Sequence, residues 1–313
     1  MITHRYRTLD VPVAGGSLRV GVWDPIEVAE GADVPSALLV HGITSSHLAW
    51  PCVVAELPGV RCIAPDLRGR GASHRLPGPV GMRAHATDLV AVVDALGIPR
   101  LPVIGHSMGG FVAVVLAHLA PERVSRLELV DGGLPIEVPP GFSPEQLVAA
   151  ILGPTAERLS LRFDRVRDYL DFWRGHPAFA DAWGPEVEAC FASDLVPEGS
   201  RLRPATTLEV TTADTSDLHD TGAGSAIREA LEALATATIP ARFISVPRGL
   251  RDEAPGLYAT EHLARLLPGF PALSHVRLAG LNHYTLVMSE RGGAALGALL
   301  RPILATGGRS AST

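Results

Sequence analysis

The feature that most constrains this chain is a five-residue turn, Gly105-His106-Ser107-Met108-Gly109, set between two segments of different period. Positions 101–104 form a short, continuous apolar run that reads as a buried strand. From Phe111 onward the apolar positions take helical spacing. A strand that turns straight into a helix leaves no room for a loop. The apex residue is forced into a strained backbone conformation, and side chains two positions to either side would collide, so glycine is needed at 105 and 109. The apex is Ser107. Its hydroxyl is expected above the strand end, where the dipole and free N–H groups of the helix face developing negative charge.

The rest of the chain repeats this alternation. Short apolar runs at 37–40, 61–64, 101–104 and 127–130 read as strands. Helical spacing covers 83–96, ending at Gly97, and 111–119, ending before Pro121. Gly15-Gly16 between two alternating stretches reads as a hairpin. Continuous apolar strands between helices predict an α/β fold with a mostly parallel sheet covered on both faces. After Asp131 the pattern breaks. Positions 134–235 carry Pro-rich turns and an aromatic cluster (Phe163, Tyr169, Phe172, Trp173, Phe179, Trp183, Phe191), with no strand of the earlier kind. Strands resume at 241–246 and 276–278. The expected organisation is a core domain, 1–134 and 236–313, interrupted by a helical cap insertion, 135–235. A helical insertion needs a core of its own, so its aromatics are read first as that core and second as a substrate pocket. The polar tail from Gly307 to Thr313 is expected to fray.

Composition removes several function classes. A net charge of -6 and a pI of 6.0 leave no basic surplus for nucleic acid or an anionic membrane. All 27 basic residues are Arg, which rules out Schiff-base lysine chemistry, pyridoxal phosphate attachment and a Walker-type Lys. Three scattered cysteines fit neither a disulfide framework nor a zinc site, and there is no His-Glu-x-x-His. No cofactor or metal is expected. The N-terminus lacks the apolar region of a signal peptide, and no run is long enough to span a bilayer. These features point to a soluble cytoplasmic protein acting on a small molecule; they leave the oligomeric state open.

The order of the motifs supports a resemblance. His41-Gly42, the stretch Asp66-Leu67-Arg68-Gly69-Arg70-Gly71-Ala72-Ser73, Gly105-His106-Ser107-Met108-Gly109-Gly110 and the late Asn282-His283 fall in an order similar to that of the α/β-hydrolase superfamily, in its lid-bearing branch of esterases and epoxide-hydrolase-like enzymes. The Asp66 to Ser73 stretch resembles that family's structural turn after the fourth strand. Ser at 107 departs from the epoxide hydrolases and haloalkane dehalogenases, which place Asp there. A serine with a histidine base suits acyl transfer.

The resemblance implies a site. In Ser-first order the triad histidine comes last, after the final strand, which selects His283 from the 12 histidines. His275 would precede that strand, His262 lies on an amphipathic helix, and His106 reads as a packing residue beside the nucleophile and a possible substrate contact. Two acids compete. Asp252, in Gly249-Leu250-Arg251-Asp252, resembles the usual acid after the seventh strand and is preferred. Asp131, closing the sixth strand, occupies the place used by some dehalogenase-like relatives. The oxyanion hole falls to the backbone N–H groups of Ile43 and Met108. Trp50 is a candidate pocket wall, and Arg248 and Arg251 could meet a carboxylated substrate. The expected activity is hydrolysis of a small, fairly apolar carboxylic ester through a Ser-His-Asp triad. Alternatives are C–C bond or amide hydrolysis, perhydrolysis, or ligand reception without catalysis.

Overall fold

The computed structural model describes residues 3–28, 34–137, 141–220 and 222–304. The polar tail expected at Gly307 to Thr313 lies outside them. The strands are β1 (His4–Val13), β2 (Gly16–Pro25), β3 (Ser36–Val40), β4 (Arg61–Pro65), β5 (Leu101–His106), β6 (Val124–Val130), β7 (Leu195–Glu198), β8 (Arg201–Pro204), β9 (Ala241–Ser245) and β10 (Leu273–Arg277). Eight form one sheet in the order β1-β2-β4-β3-β5-β6-β9-β10, antiparallel at β1/β2 and β2/β4 and parallel elsewhere. Gly15-Gly16 makes the hairpin between β1 and β2, with Gly15 at φ 90°. The central strands β3, β5 and β6 are buried nearly throughout, because helices cover both faces of the sheet. The switch in strand order at β3–β5 puts the end of β5 at the centre of the sheet's carboxyl edge, where this class of fold builds its sites.

The helix Met108–Leu119 is buried along almost its whole length. It packs between the sheet and the helices Met82–Ala95 and Ala226–Thr236. That last helix shifts an expected boundary. The division between 235 and 236 falls inside it, yet Ala226, Ile227 and Ala230 pack into the same core as Val112 and Val115. It therefore belongs to the sheet's helical flank, and its apolar face is what places it there. Between Asp131 and this helix the described residues are mainly helical, with one exception among them. The strands β7 and β8 pair around Gly199 (φ 61°) as a short antiparallel hairpin. Strands of four residues, largely half-exposed or exposed, carry too little pattern to be read in advance. The final strand also starts three residues earlier than the apolar run, so His275 lies within β10, its Nε2 2.9 Å from Ser245 Oγ. Among the described residues no helix is long and apolar enough to cross a membrane.

Candidate active site

The turn between β5 and its helix has the strain that its sequence implies. Ser107 stands at φ 56° and ψ −126°, a region that side-chain-bearing residues rarely occupy. Its N–H donates to Val130 O at 3.0 Å and its carbonyl accepts Gly110 N–H at 2.9 Å, so the neighbouring strand and the helix both hold the apex. A Cβ at 105 would lie 2.2 Å from Gly109 O, and one at 109 would lie 2.1 Å from Val40 O. Both glycines are close-approach positions, as expected.

His283 is fixed through three atoms. Nδ1 is 2.7 Å from Asp131 Oδ2, the backbone N–H donates to Arg248 O at 3.1 Å, and the carbonyl accepts His106 Nε2–H at 3.0 Å. Because a carbonyl only accepts, the last bond sets the His106 tautomer. Burial, with the nearby His283, pulls the His106 imidazole well below its ordinary value. Asp131 is fully buried at the end of β6, at φ 47°, and its Oδ1 accepts the Val246 N–H at 3.3 Å. Ser107, Asp131 and His283 line one cavity of about 70 Å³. Among the described residues no hydrogen bond joins Ser107 to His283; such bonds often tighten only when substrate is present.

The two acids are thus separated. Asp131 meets the imidazole, whereas Asp252, the preferred residue, does not. Arg248 takes Asp252 by a two-pronged pair at 2.7 Å on each oxygen and holds its carboxyl below the usual range. Asn282 Nδ2 adds a bond at 3.1 Å. The extra residues Pro247-Arg248 lengthen that loop, and the guanidinium they bring intercepts the carboxylate. Asp252 reaches the histidine loop through Asn282, whose Oδ1 accepts the N–H groups of Tyr284 and Thr285 at 3.1 and 2.9 Å, and through Arg248, whose carbonyl accepts the His283 N–H.

Ile43 follows β3 in a turn built by His41. His41 Nδ1–H donates to Gly42 O at 2.8 Å while its Nε2 accepts Leu67 N–H at 3.0 Å. Burial brings this imidazole down to about 4. Ser45 N–H also reaches Gly42 O, at 3.2 Å. In a trans peptide the N–H points opposite to its carbonyl, so Ile43 N–H faces away from these donors. A Cβ on Gly42 would come within 3.1 Å of Ser107 Cβ, which places this turn against the apex. Met108 opens its helix, and its N–H therefore lacks an intrahelical acceptor. Neither N–H has a hydrogen-bond partner among the described residues.

The remaining expected contacts divide. His106 lines the cavity. Trp50 does not: it is fully buried and packs with Ala49, Val53 and Leu57 beneath the turn. Its place just before Pro51, at the head of a short helix, turns it inward. Arg248 and Arg251 also lie outside the cavity lining. Of the seven clustered aromatics of the insertion, Trp173 and Phe191 reach the cavity, stacked at 3.9 Å; the others pack around them in one apolar cluster that continues into the sheet domain, where Tyr284 meets Trp173 and Phe179. The sequence reading missed Val148, Ile151 and Leu152 on one insertion helix, and Leu218 and His219 at the end of another, all of which wall the cavity. Asp66 divides its oxygens between His47 (N–H at 2.8 Å, Nδ1 at 2.7 Å) and Ala72 N–H (2.8 Å), a structural tie. Among the described residues no group of three or more His, Cys, Asp or Glu is arranged to hold a metal ion.

Comparison with known proteins agrees with this architecture. Lipase LipV of Mycobacterium tuberculosis is 34% identical over 115 residues, 37% of this chain and 42% of its own length. A soluble epoxide hydrolase of Corynebacterium sp. (strain C12) is 38% identical over 105 residues, 33% of this chain and 36% of its own. The chain spans less than half the length of the curated relatives it matches. Among solved structures, E-2-(acetamidomethylene)succinate hydrolase is similar at a TM-score of 0.72 and 20% identity, over 95% of this chain and 99% of that one; at this identity the likeness carries the fold. The sequence profile of the alpha/beta hydrolase fold matches residues 35–210, more than half of the chain, and the chain belongs to that family.

Proposed function

We propose that this protein is a serine hydrolase that cleaves a small, fairly apolar carboxylic ester by acyl transfer, with Ser107 as nucleophile, His283 as general base and Asp131 as the acid. The observation that carries the reading is the 2.7 Å contact from His283 Nδ1 to Asp131 Oδ2, in a cavity that Ser107 also lines. Asp131 holds the imidazole in the tautomer that leaves Nε2 free to accept a proton, and stabilises the imidazolium without taking the proton itself. Ser107 Oγ attacks the carbonyl carbon as His283 accepts its proton. The C=O pair moves onto oxygen, which sits on the N–H groups of Ile43 and Met108. Collapse breaks the ester C–O bond, and His283 gives its proton to the departing alkoxide. Water, deprotonated by His283, then attacks the acyl carbon; the bond to Ser107 Oγ breaks, His283 returns the proton to Oγ, and the acid leaves.

The walls support an uncharged substrate. Apart from Asp131, which His283 pairs, the lining holds no Asp, Glu or Arg among the described residues. The cavity of about 70 Å³ is less than half of the about 150 Å³ that accommodates benzene elsewhere. A short acyl group therefore fits the closed form, and a larger one requires the insertion to act as a movable cap. The test is a fluorophosphonate probe on the wild type and on Ser107→Ala, with the adduct located by mass spectrometry. A single adduct on Ser107, absent from the variant, together with ester turnover that falls as the acyl chain lengthens, is expected. A folded wild type that takes no adduct and turns over no ester sinks the reading and leaves ligand reception in its place.

A further inference from the structure

The turn that carries Ile43 is gripped from two sides by guanidinium groups removed from solvent. Arg70 Nε donates to Ile43 O at 2.9 Å, and its Nη1 pairs with Asp214 of the insertion helix Leu208–Leu218 at 2.5 Å. Burial raises the Asp214 carboxyl, but Arg70 and His85 outweigh it and bring it to about 2. On the other side, Arg158 belongs to the insertion. It is fully buried, and its Nη1 donates to the Tyr169 hydroxyl at 2.8 Å and to Asp194 Oδ2 at 3.1 Å. Its Cζ lies 4.9 Å from the centre of the Trp173 ring, a cation–π contact. Its Nη2 reaches across to Thr44 O at 3.3 Å.

From Arg158 the hydrogen bonds run in one sense. Thr44 C=O and Ser45 N–H belong to the same peptide. Ser45 N–H donates to Gly42 O at 3.2 Å, and Gly42 C=O shares the next peptide with Ile43 N–H. A cation at one end of such a chain draws electron density from each carbonyl in turn, so each N–H along it becomes a stronger donor. The chain ends at Ile43 N–H, which has no partner among the described residues.

We propose that Arg158 is a positioning residue through which the insertion orients and polarises the Ile43 N–H, so that seating of the insertion completes the oxyanion hole. This rests on the hydrolase reading above, with Ile43 as an oxyanion donor. Arg158 touches no reacting atom; it acts through the peptides 44–45 and 42–43. The consequence is that its removal weakens the transition state more than the ground state, because the charge on the carbonyl oxygen develops only during attack.

The experiment measures p-nitrophenyl butyrate hydrolysis and inhibition by a trifluoromethyl ketone, which mimics the tetrahedral adduct. The proteins are wild type, Ser107→Ala, Arg158→Met, Arg158→Lys and Ser45→Pro. Arg158→Met is expected to lower kcat about 10- to 100-fold with KM within about threefold, and to weaken the ketone by the same factor as kcat. Arg158→Lys, which keeps the charge, is expected to recover part of the loss. Ser45→Pro deletes the middle N–H of the chain without touching the insertion's ion pairs, and is expected to fall in kcat by a similar factor. It carries the test if Arg158→Met does not fold. Folded variants with wild-type kcat, or with a change in KM alone, overturn the proposal. A wild type without Ser107-dependent turnover overturns the hydrolase reading itself, and this proposal with it.

Discussion

Two aspartates stand beyond the ends of adjacent parallel strands, β6 and β9, and meet opposite fates. Both adopt left-handed backbone angles that a side chain disfavours, φ 47° at Asp131 and φ 64° at Asp252. Asp131 is sealed from solvent; the neutral Val246 N–H and the His283 imidazole are its hydrogen-bond partners, the latter at 2.7 Å. The Asp252 side chain keeps 34% of its exposure and is clamped by Arg248, four residues earlier. Strained backbone thus marks both loops and distinguishes neither. What differs between the two carboxylates is the donor that holds each one. A short turn with no arginine leaves Asp131 to the imidazole, and a longer one supplies a guanidinium that occupies Asp252.

The sharpest way to break this contrast is Asp131→Asn. An amide at that position no longer stabilises an imidazolium, and by turning over it can present N–H to Nδ1 and favour the wrong tautomer. The expected loss in kcat for ester hydrolysis is about 10⁴-fold, with the fold retained by circular dichroism. A loss under tenfold would show that His283 draws its orientation from elsewhere.

The buried side of the site should also respond to acid in a way the solvent-facing side does not. His41 titrates near 4 in the folded chain against an ordinary value of 6.5, because burial disfavours its charged form. A group with a lowered folded value contributes its full stability above 6.5 and loses it as the pH falls towards 4. For His41 this contribution is on the order of 3 kcal/mol. His106 moves in the same direction. Urea unfolding at pH 7 and at pH 4.5 is expected to show the wild type losing stability on acidification and His41→Gln losing less. Identical slopes would mean that the turn holding Ile43 does not depend on a neutral imidazole.

The same contrast explains what was legible in the sequence. The Ser107 turn could be read because everything that forces it is contiguous: strand, glycines, helix. The place of His283 beyond the last strand could be read because chain order ties it there. Which carboxylate meets its imidazole could not, since both candidates satisfy the local pattern and only the three-dimensional path of Arg248 separates them. Trp50 shows a related limit. It follows the Ile43 turn closely in sequence, yet the helix beginning at Pro51 directs it into packing. Arg70 and Arg158 were invisible as site residues because arginine ordinarily reads as surface. Their burial depends on Asp214 and Asp194, which are distant in sequence and come close only through the insertion.

Asp252→Asn gives the smallest expected effect and the cleanest check on the assignment. The amide can still accept from Asn282 Nδ2, so the loop that carries His283 keeps its link to Ala178 O at 2.9 Å and to the β9 loop. What is lost is one arm of an exposed pair with Arg248, an interaction that water and salt already screen. The Asp252 carboxyl is ionised throughout the neutral range, because Arg248 holds it below its ordinary value, so its removal should leave the pH–rate profile above pH 5 unshifted. The expected kcat lies within about threefold of wild type, against the about 10⁴-fold loss for Asp131→Asn. Equal losses in the two variants would mean that Asp252 leaves Arg248 and approaches His283 during turnover, and the acid would then have to be reassigned. A loss confined to Asp252→Asn and accompanied by a changed KM would instead place the Asn282 link in control of how the insertion seats over the substrate.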